Sequence, residues 1–373
     1  MVGGSAIRFQ TESIANRAGA GLPPVDQRES VLNNVSPPLQ ARAPGSPEPD
    51  ALARLTDLVG ADLHACNRTI VARMDSPVAL IPQLAAHIVA AGGKRLRPVL
   101  TLACARLCGY EGARHVELAA CVEFIHTATL LHDDVVDESV LRRGLSSANS
   151  VFGNKASVLV GDFLFARAFQ LMVADGSLPV LGILSKAAAT IAEGEVHQLV
   201  IQNDLATTEE QYLEVIRGKT AALFAAACEV GGVVAGRPDA ECRALAAFGD
   251  HLGIAFQLVD DALDYAADQA TLGKTVGDDF REGKITLPVL AAYHAADDKA
   301  REFWVRTIEA SEQKPDDLDR ALCLIEQTGA IQATLDLAAT FAASAKNQLA
   351  IFAPSPLRDA LADVADFTVS RAR

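Results

Sequence analysis

From residue 50 onward, apolar residues recur three and four positions apart in long blocks separated by short polar or Gly- and Pro-containing breaks, the period of helices and not of strands. Ala51 to Met74 is the first block; Asp75-Ser76-Pro77 interrupts it before a second runs from Val78 to Ala91 and stops at Gly92-Gly93. Arg97-Pro98 opens Val99 to Leu107, since a proline costs no hydrogen bond in a first helical turn. Val116 to Glu138 is longer and apolar almost to its end. Helices are predicted at about 155–174, 178–202, 208–234 and 238–267, with Thr208-x-x-Gln211 offering a capping box to the third. After a Gly-rich polar segment from Leu272 to Gly283, the period resumes at about 285–296, 298–310, 316–327, 330–352 and 356–371. No stretch alternates convincingly as a strand, and no repeat of roughly 20–50 residues is evident, so one all-α domain is predicted over 49–373.

Residues 1–48 break this pattern. They lack periodicity and hold Gly3-Gly4, Pro23-Pro24, Pro37-Pro38, Pro44 and Pro47, with Pro49 just after, the composition of a poorly ordered leader. No apolar core follows a basic start, as a secretory signal requires, and Glu12, Asp26 and Glu29 break the acid-poor pattern of a transit peptide.

Two of the apolar blocks carry an acidic cluster of identical spacing, Asp133-Asp134-x-x-Asp137 and Asp260-Asp261-x-x-Asp264. Positions i, i+1 and i+4 fall within an arc of roughly 100° on an α-helix, so each cluster projects three carboxylates from one face. Six carboxylates around one cavity repel unless cations lie between them. Oxygen donors with little His or Cys nearby suit Mg²⁺, which keeps some waters and usually binds a substrate phosphate as well. One such triplet reads as a solvated helix face. Two, each followed by basic residues, point to a metal site built from Asp133, Asp134, Asp137, Asp260, Asp261 and Asp264.

At 373 residues and 50% hydrophobic content, the chain can bury a sizeable core. Its formal charge of −14 argues against a nucleic-acid surface, so an anionic substrate must meet locally gathered Lys and Arg. The 7 cysteines include no C-x-x-C pair and lie mostly in apolar helical blocks, as expected of reduced packing residues in a cytoplasmic protein. Charges interrupt every apolar run before it reaches the roughly 20 residues needed to span a bilayer, so no transmembrane segment is expected.

Lys94, Arg95 and Arg97 adjoin Gly92-Gly93, where a turn could aim backbone N–H groups at an anion. Arg142-Arg143 follows the first cluster, Lys219-Thr220 sits inside the 208–234 block, and Lys274 and Lys284 flank the loop after the second cluster. Singly, each reads as surface charge. Together with the carboxylates they describe sites for two diphosphates, one bridged through Mg²⁺ and one held by Arg and Lys directly. His126 lies nearly two turns before Asp133 on almost the same face; its plain reading is a core histidine. Glu123-x-x-His126 also matches the Glu-x-x-His element of ferritin-like di-iron bundles, but that site needs a second copy, and no other histidine has Glu three residues before it.

Seven segments follow one another in a telling order: Gly-Gly-Lys-Arg-Leu-Arg-Pro at 92–98, His-Thr-Ala-Thr-Leu-Leu-His-Asp-Asp-Val-Val-Asp at 126–137, Arg142-Arg143, Gly-Asp-Phe-Leu at 161–164, Lys219-Thr220, Phe-Gln-Leu-Val-Asp-Asp-Ala-Leu-Asp at 256–264, and Gly273-Lys274 through Lys284. The ordered set resembles the trans-isoprenyl diphosphate synthases, the polyprenyl synthetase family. That resemblance implies an all-α bundle around a deep cavity, three Mg²⁺ ions, a homodimer, and head-to-tail condensation of isopentenyl diphosphate with an allylic diphosphate such as farnesyl diphosphate. It assigns Asp133, Asp134, Asp137 and Arg142, with Asp260, Asp261 and Asp264, to the allylic diphosphate. It assigns Lys94, Arg97, His126 and Arg143 to isopentenyl diphosphate. Lys219, Gln257 and Lys274 would neutralise the leaving diphosphate, with Thr220 beside Lys219 and Lys284 nearby.

Within the resemblance, the growing tail runs down the helix of the first cluster, away from the charged mouth. Shorter-product members tend to place aromatic residues four or five positions before the first Asp, where this chain has Ala128 and Thr129. Ile125 and Cys121 come next on that stripe, about 12 and 18 Å below Asp133, and with no aromatic plug there a long all-trans product of about C40–C50 is expected, as in quinone tails. The family's octaprenyl, solanesyl and decaprenyl diphosphate synthases are the type it resembles. A shorter-chain, geranylgeranyl-type synthase and a non-catalytic partner subunit are the alternatives, though such subunits tend to lose part of a cluster. A class I terpene cyclase usually replaces the second cluster and needs no second diphosphate site. So apolar a product also suggests transient contact of a cytoplasmic enzyme with a membrane.

Overall fold

Residues 51–90, 93–142, 144–266 and 276–371 are described by the computed structural model; the 1–48 leader, Gly92, Arg143 and Lys274 lie outside the described residues. In chain order the helices are α1 (Ala51–Leu58), α2 (Gly60–Arg73), α3 (Leu80–Ala90), α4 (Leu96–Leu107) and α5 (Arg114–Val136). A hairpin, β1 (Leu141–Arg142) with β2 (Leu145–Ser146), precedes α6 (Ala148–Phe152), α7 (Asn154–Asp175), α8 (Leu178–Ile201), α9 (Glu209–Ile216), α10 (Ala222–Val234) and α11 (Asp239–Ala266). Then come α12 (Asp278–Arg281), α13 (Leu287–His294), α14 (Asp298–Trp304), α15 (Asp317–Gln327), α16 (Ala330–Gln348) and α17 (Pro356–Ser370).

The predicted all-α architecture holds, with local corrections. The first block parts at Val59, whose φ of −117° and ψ of 18° leave the helical region. The 208–234 and 298–310 blocks are each interrupted by a π-helical turn, at Arg217–Ala221 and Val305–Glu309. Strand was not predicted, and strands of two residues are too short to show alternation. The capping box forms as expected: Gln211 N–H donates to Thr208 Oγ1 at 3.2 Å, and Thr208 N–H donates to Gln211 Oε1 at 2.9 Å.

Helix α5 is enclosed on nearly all sides, with Leu118, Ala119, Cys121, Val122, Phe124, Ile125 and Ala128 fully buried, as befits a helix apolar around its circumference. It packs along α7 and α4, while α10 fills the space between α4 and α11, and α11 lies against α16. Each large core side chain here, such as Phe124, Phe224 or Phe248, contributes about 1.5–3 kcal/mol by leaving water. The two acidic clusters thus end two of the most enclosed helices. All seven cysteines are free thiols. Among the described residues, α7 alone is long and apolar enough to cross a membrane by length and composition, with 44% of that window buried.

Candidate active site

The first cluster straddles a helix end. Asp133 and Asp134 close α5, Asp137 is its C-cap, and Glu138 turns the chain away with φ 50°. Carboxylates at a helix C-terminus oppose the macrodipole, so they demand cationic partners. Asp134 is 2% exposed and committed to the protein: Arg142 of β1 donates to its Oδ1 from Nε at 2.7 Å and from Nη2 at 2.5 Å. Lys284 donates from Nζ to Asp137 at 3.0 Å and to Glu282 at 2.5 Å. Burial pushes the Asp133 carboxyl up to about 7; Glu195 and Asp137 push the same way, while Lys219 and Arg142 oppose them.

The second cluster is held from two directions. Asp261, 5% exposed, accepts from Tyr212 Oη at 2.5 Å and from Gln257 Nε2 at 2.7 Å, and Gln257 Oε1 in turn accepts from Thr220 Oγ1 at 2.8 Å. Burial and the charge of Asp279 push Asp261 up to about 8 against those two hydrogen bonds. Asp260 Oδ1 lies 3.5 Å from Nη2 of Arg371, whose guanidinium sits 4.4 Å over the Phe256 ring. Asp264 accepts from the Asp279 N–H at 3.1 Å. Burial alone would lower the Lys284 ammonium, but Asp279, Asp137 and Glu282 together raise it above its ordinary value.

The six carboxylates therefore do not stand equivalent, as the helical arc alone suggested. Asp134 and Asp261 are buried against protein donors, and Asp133, Asp137, Asp260 and Asp264 are the more accessible set. Among the described residues no three acids form a ready metal cage; Asp137 pairs with Lys284 and Asp260 with Arg371.

Lys219 is aimed by two glycines. A Cβ at Gly194 of α8 would lie 2.5 Å from the Lys219 amide nitrogen, and one at Gly218 would lie 3.2 Å from Gly194 Cα. Backbones this close exclude side chains at the crossing, and the π turn there carries Lys219, whose Nζ donates to Glu195 at 2.8 Å. Opposite, Arg95 caps α4 at φ 49°, a left-handed conformation that costs a non-glycine residue about 1–2 kcal/mol. Arg97 Nη1 donates to His126 Nε2 at 3.1 Å and its guanidinium lies 4.4 Å over Phe224; Lys94 is exposed, with Nζ 5.8 Å from the Phe367 ring.

Between α5, α7 and α8 lies a cavity of about 280 Å³, lined by the charged Asp133, Asp137, Glu195 and Lys284 together with Thr129, Phe165 and Ala188. Of the four residues assigned to chain length, Thr129 lines this space; Ala128, Ile125 and Cys121 are fully enclosed, with Cys121 Sγ donating to the Ala168 carbonyl at 3.4 Å. Sequence reasoning missed Glu195, Tyr212, Asp279 and Arg371. Tyr212 lies two helical turns before Lys219, a spacing that could have pointed to it; nothing local marks Arg371.

A helical bundle with two acidic helix ends, cations beside each and a largely apolar cavity under the first is the architecture of a polyprenyl synthetase. The sequence profile of that family, Polyprenyl synthetase, matches residues 78–325, about two thirds of the chain, and the protein belongs to it. The chain is 47% identical to the octaprenyl diphosphate synthase of Escherichia coli (strain K12) over 322 residues, 86% of this chain and 99% of that one. A decaprenyl diphosphate synthase from Rhodobacter capsulatus superposes with a TM-score of 0.83 at 54% identity, covering 86% of this chain and 99% of its own. The polyprenyl synthase from Caulobacter crescentus CB15, complexed with calcium and isoprenyl diphosphate, superposes at 0.84 with 54% identity, covering 89% and 100%.

Proposed function

We propose that this protein is a Mg²⁺-dependent trans-polyprenyl diphosphate synthase that condenses isopentenyl diphosphate with an allylic diphosphate to give a product of about C40–C50, serving as a quinone side chain. The observation that carries this reading is the pairing of two carboxylate walls with two separate groups of cations, as two diphosphates require. Two of the relatives named above are octaprenyl and decaprenyl diphosphate synthases, and the third is a polyprenyl synthase complexed with calcium and isoprenyl diphosphate.

The donor set fits the metal: Asp133, Asp137, Asp260 and Asp264 offer hard carboxylate oxygens, with Asp134 and Asp261 held by Arg142, Tyr212 and Gln257. Mg²⁺ held there, three ions by family resemblance, would carry the charge of the departing diphosphate. Lys219, Lys284 and Gln257 add fixed donors on the same side, so the allylic C–O bond breaks without a protein nucleophile. Lys94, Arg97, His126 and Arg143 hold isopentenyl diphosphate with its double bond toward the allylic carbon; the new C–C bond forms, and the released diphosphate takes the proton that is lost. Apolar walls keep water from the carbocation.

The tail is assigned to the α5 face, past Thr129 toward Ala128, Ile125 and Cys121. A homodimer belongs to the same reading, supported by Leu159, Val173, Leu178, Val196 and Val200, all exposed on α7 and α8; Val196 and Leu199 also line the cavity, so a second copy would complete its outer wall. So does a cytoplasmic location with transient membrane contact for delivery of the product. Purified protein incubated with Mg²⁺, farnesyl diphosphate and labelled isopentenyl diphosphate should yield extractable long prenyl diphosphates. Cyclic hydrocarbons, or no incorporation of label, would contradict the reading.

A further inference from the structure

Glu123-x-x-His126 fits no metal site, yet both of its residues are engaged. His126 accepts from Arg97, and one turn earlier Glu123 accepts from Arg95 Nη1; positions i and i+3 share a helix face, so both arginines of the Lys94–Arg97 segment dock on one stripe of α5. The Arg95 and Glu123 side chains are each only 9% exposed, an ion pair taken almost wholly out of water. Among the described residues only Arg95, Glu138, Asn203 and Ser311 combine a side chain with positive φ. Such a conformation persists where the surroundings over-determine it, and here a buried charge that cannot leave its partner does so.

That left-handed residue stands between Lys94 and Arg97. Its backbone sets the angle at which the two depart: Lys94 toward Phe367 of α17, Arg97 toward Phe224 of α10. Resting on the functional reading above, we propose that Arg95 and Glu123 are a positioning pair for the isopentenyl diphosphate subsite, locking the turn that spaces Lys94 and Arg97 while touching no substrate themselves. Glu123 lies about 15 Å before Asp133 on the same helix, so one rigid rod indexes this subsite against the acidic cluster.

The deciding variant removes both charges at once, Arg95→Met with Glu123→Leu, because apolar residues of similar volume replace a buried ion pair without stranding a charge. Expected are a wild-type melting temperature, a KM for isopentenyl diphosphate raised roughly tenfold or more, and a KM for farnesyl diphosphate and a kcat at saturation within about twofold of wild type. Glu123→Gln, which keeps an acceptor, should lie between the two. An unchanged KM for isopentenyl diphosphate in the folded double variant would overturn the proposal, as would a uniform loss of both KM values and of stability together. If the double variant does not fold, Arg95→Lys, which keeps the charge and loses the guanidinium geometry, is judged by the same split. Wild-type protein that incorporates no label overturns the functional reading and this pair with it; an active wild type with an insensitive pair overturns the pair alone.

Discussion

Replacing Gly194 by alanine tests how Lys219 is placed. The added Cβ would lie 2.5 Å from the Lys219 nitrogen, 2.8 Å from the Gly218 carbonyl carbon and 3.2 Å from Gly218 Cα. All three are backbone atoms, so no side chain can give way, and α8 must part from the π turn by about 1 Å to restore ordinary contact. Overpacking of this kind costs about 1–3 kcal/mol, against which alanine returns about 1 kcal/mol of helix propensity. The net loss, up to about 2 kcal/mol, lowers the melting temperature by at most about 8 °C in a domain of this size. The chemistry suffers more, because a misplacement of about 1 Å can cost on the order of 100-fold in rate. Label incorporation should therefore show kcat down by roughly 10- to 100-fold with KM for isopentenyl diphosphate little changed, since Lys94 and Arg97 stand on other elements. Gly182→Ala on the same helix is the control: its Cβ would meet nothing within 4 Å, so activity should be unchanged and melting equal or slightly higher. A Gly194→Ala protein with wild-type kcat and wild-type melting would refute the reasoning.

Without divalent metal, melting temperature should fall as pH rises from about 4 to about 8, because Asp133 and Asp261, at about 7 and about 8, hold protons that the unfolded chain has already released. Millimolar Mg²⁺ should flatten that slope in calorimetry, and a flat metal-free profile would contradict it. Tyr212→Phe deprives Asp261 of one of its two donors; a stability loss of about 1–3 kcal/mol is expected, with a severalfold higher Mg²⁺ requirement for half-maximal activity. Ala128→Phe and Thr129→Phe should shorten the product, and unchanged sizes from folded variants would remove the tail from this face of α5.

Much of this molecule is legible in short stretches. Helical period, the Thr208 capping box and the repeated Asp-Asp-x-x-Asp spacing each depend on residues a few positions apart, where backbone geometry alone relates them. The π turn at Arg217–Ala221 was not, since its closest backbone neighbour is Gly194 on another helix, distant in sequence. The hairpin carrying Arg142 was hidden because two-residue strands have no period to detect.

By itself, then, the sequence determined an all-α chain, two acidic helix faces and the cations to answer them. Only the tertiary structure decided how the carboxylates divide, because the deciding partners are distant along the chain: Tyr212 reaches Asp261 across 49 positions, Arg371 reaches Asp260 across 111, and Lys284 reaches Asp137 across 147. Helix period says which way a side chain leaves its own axis. What it meets there is set by packing between helices, and packing is what turns six like aspartates into an accessible set and a pair buried against protein donors.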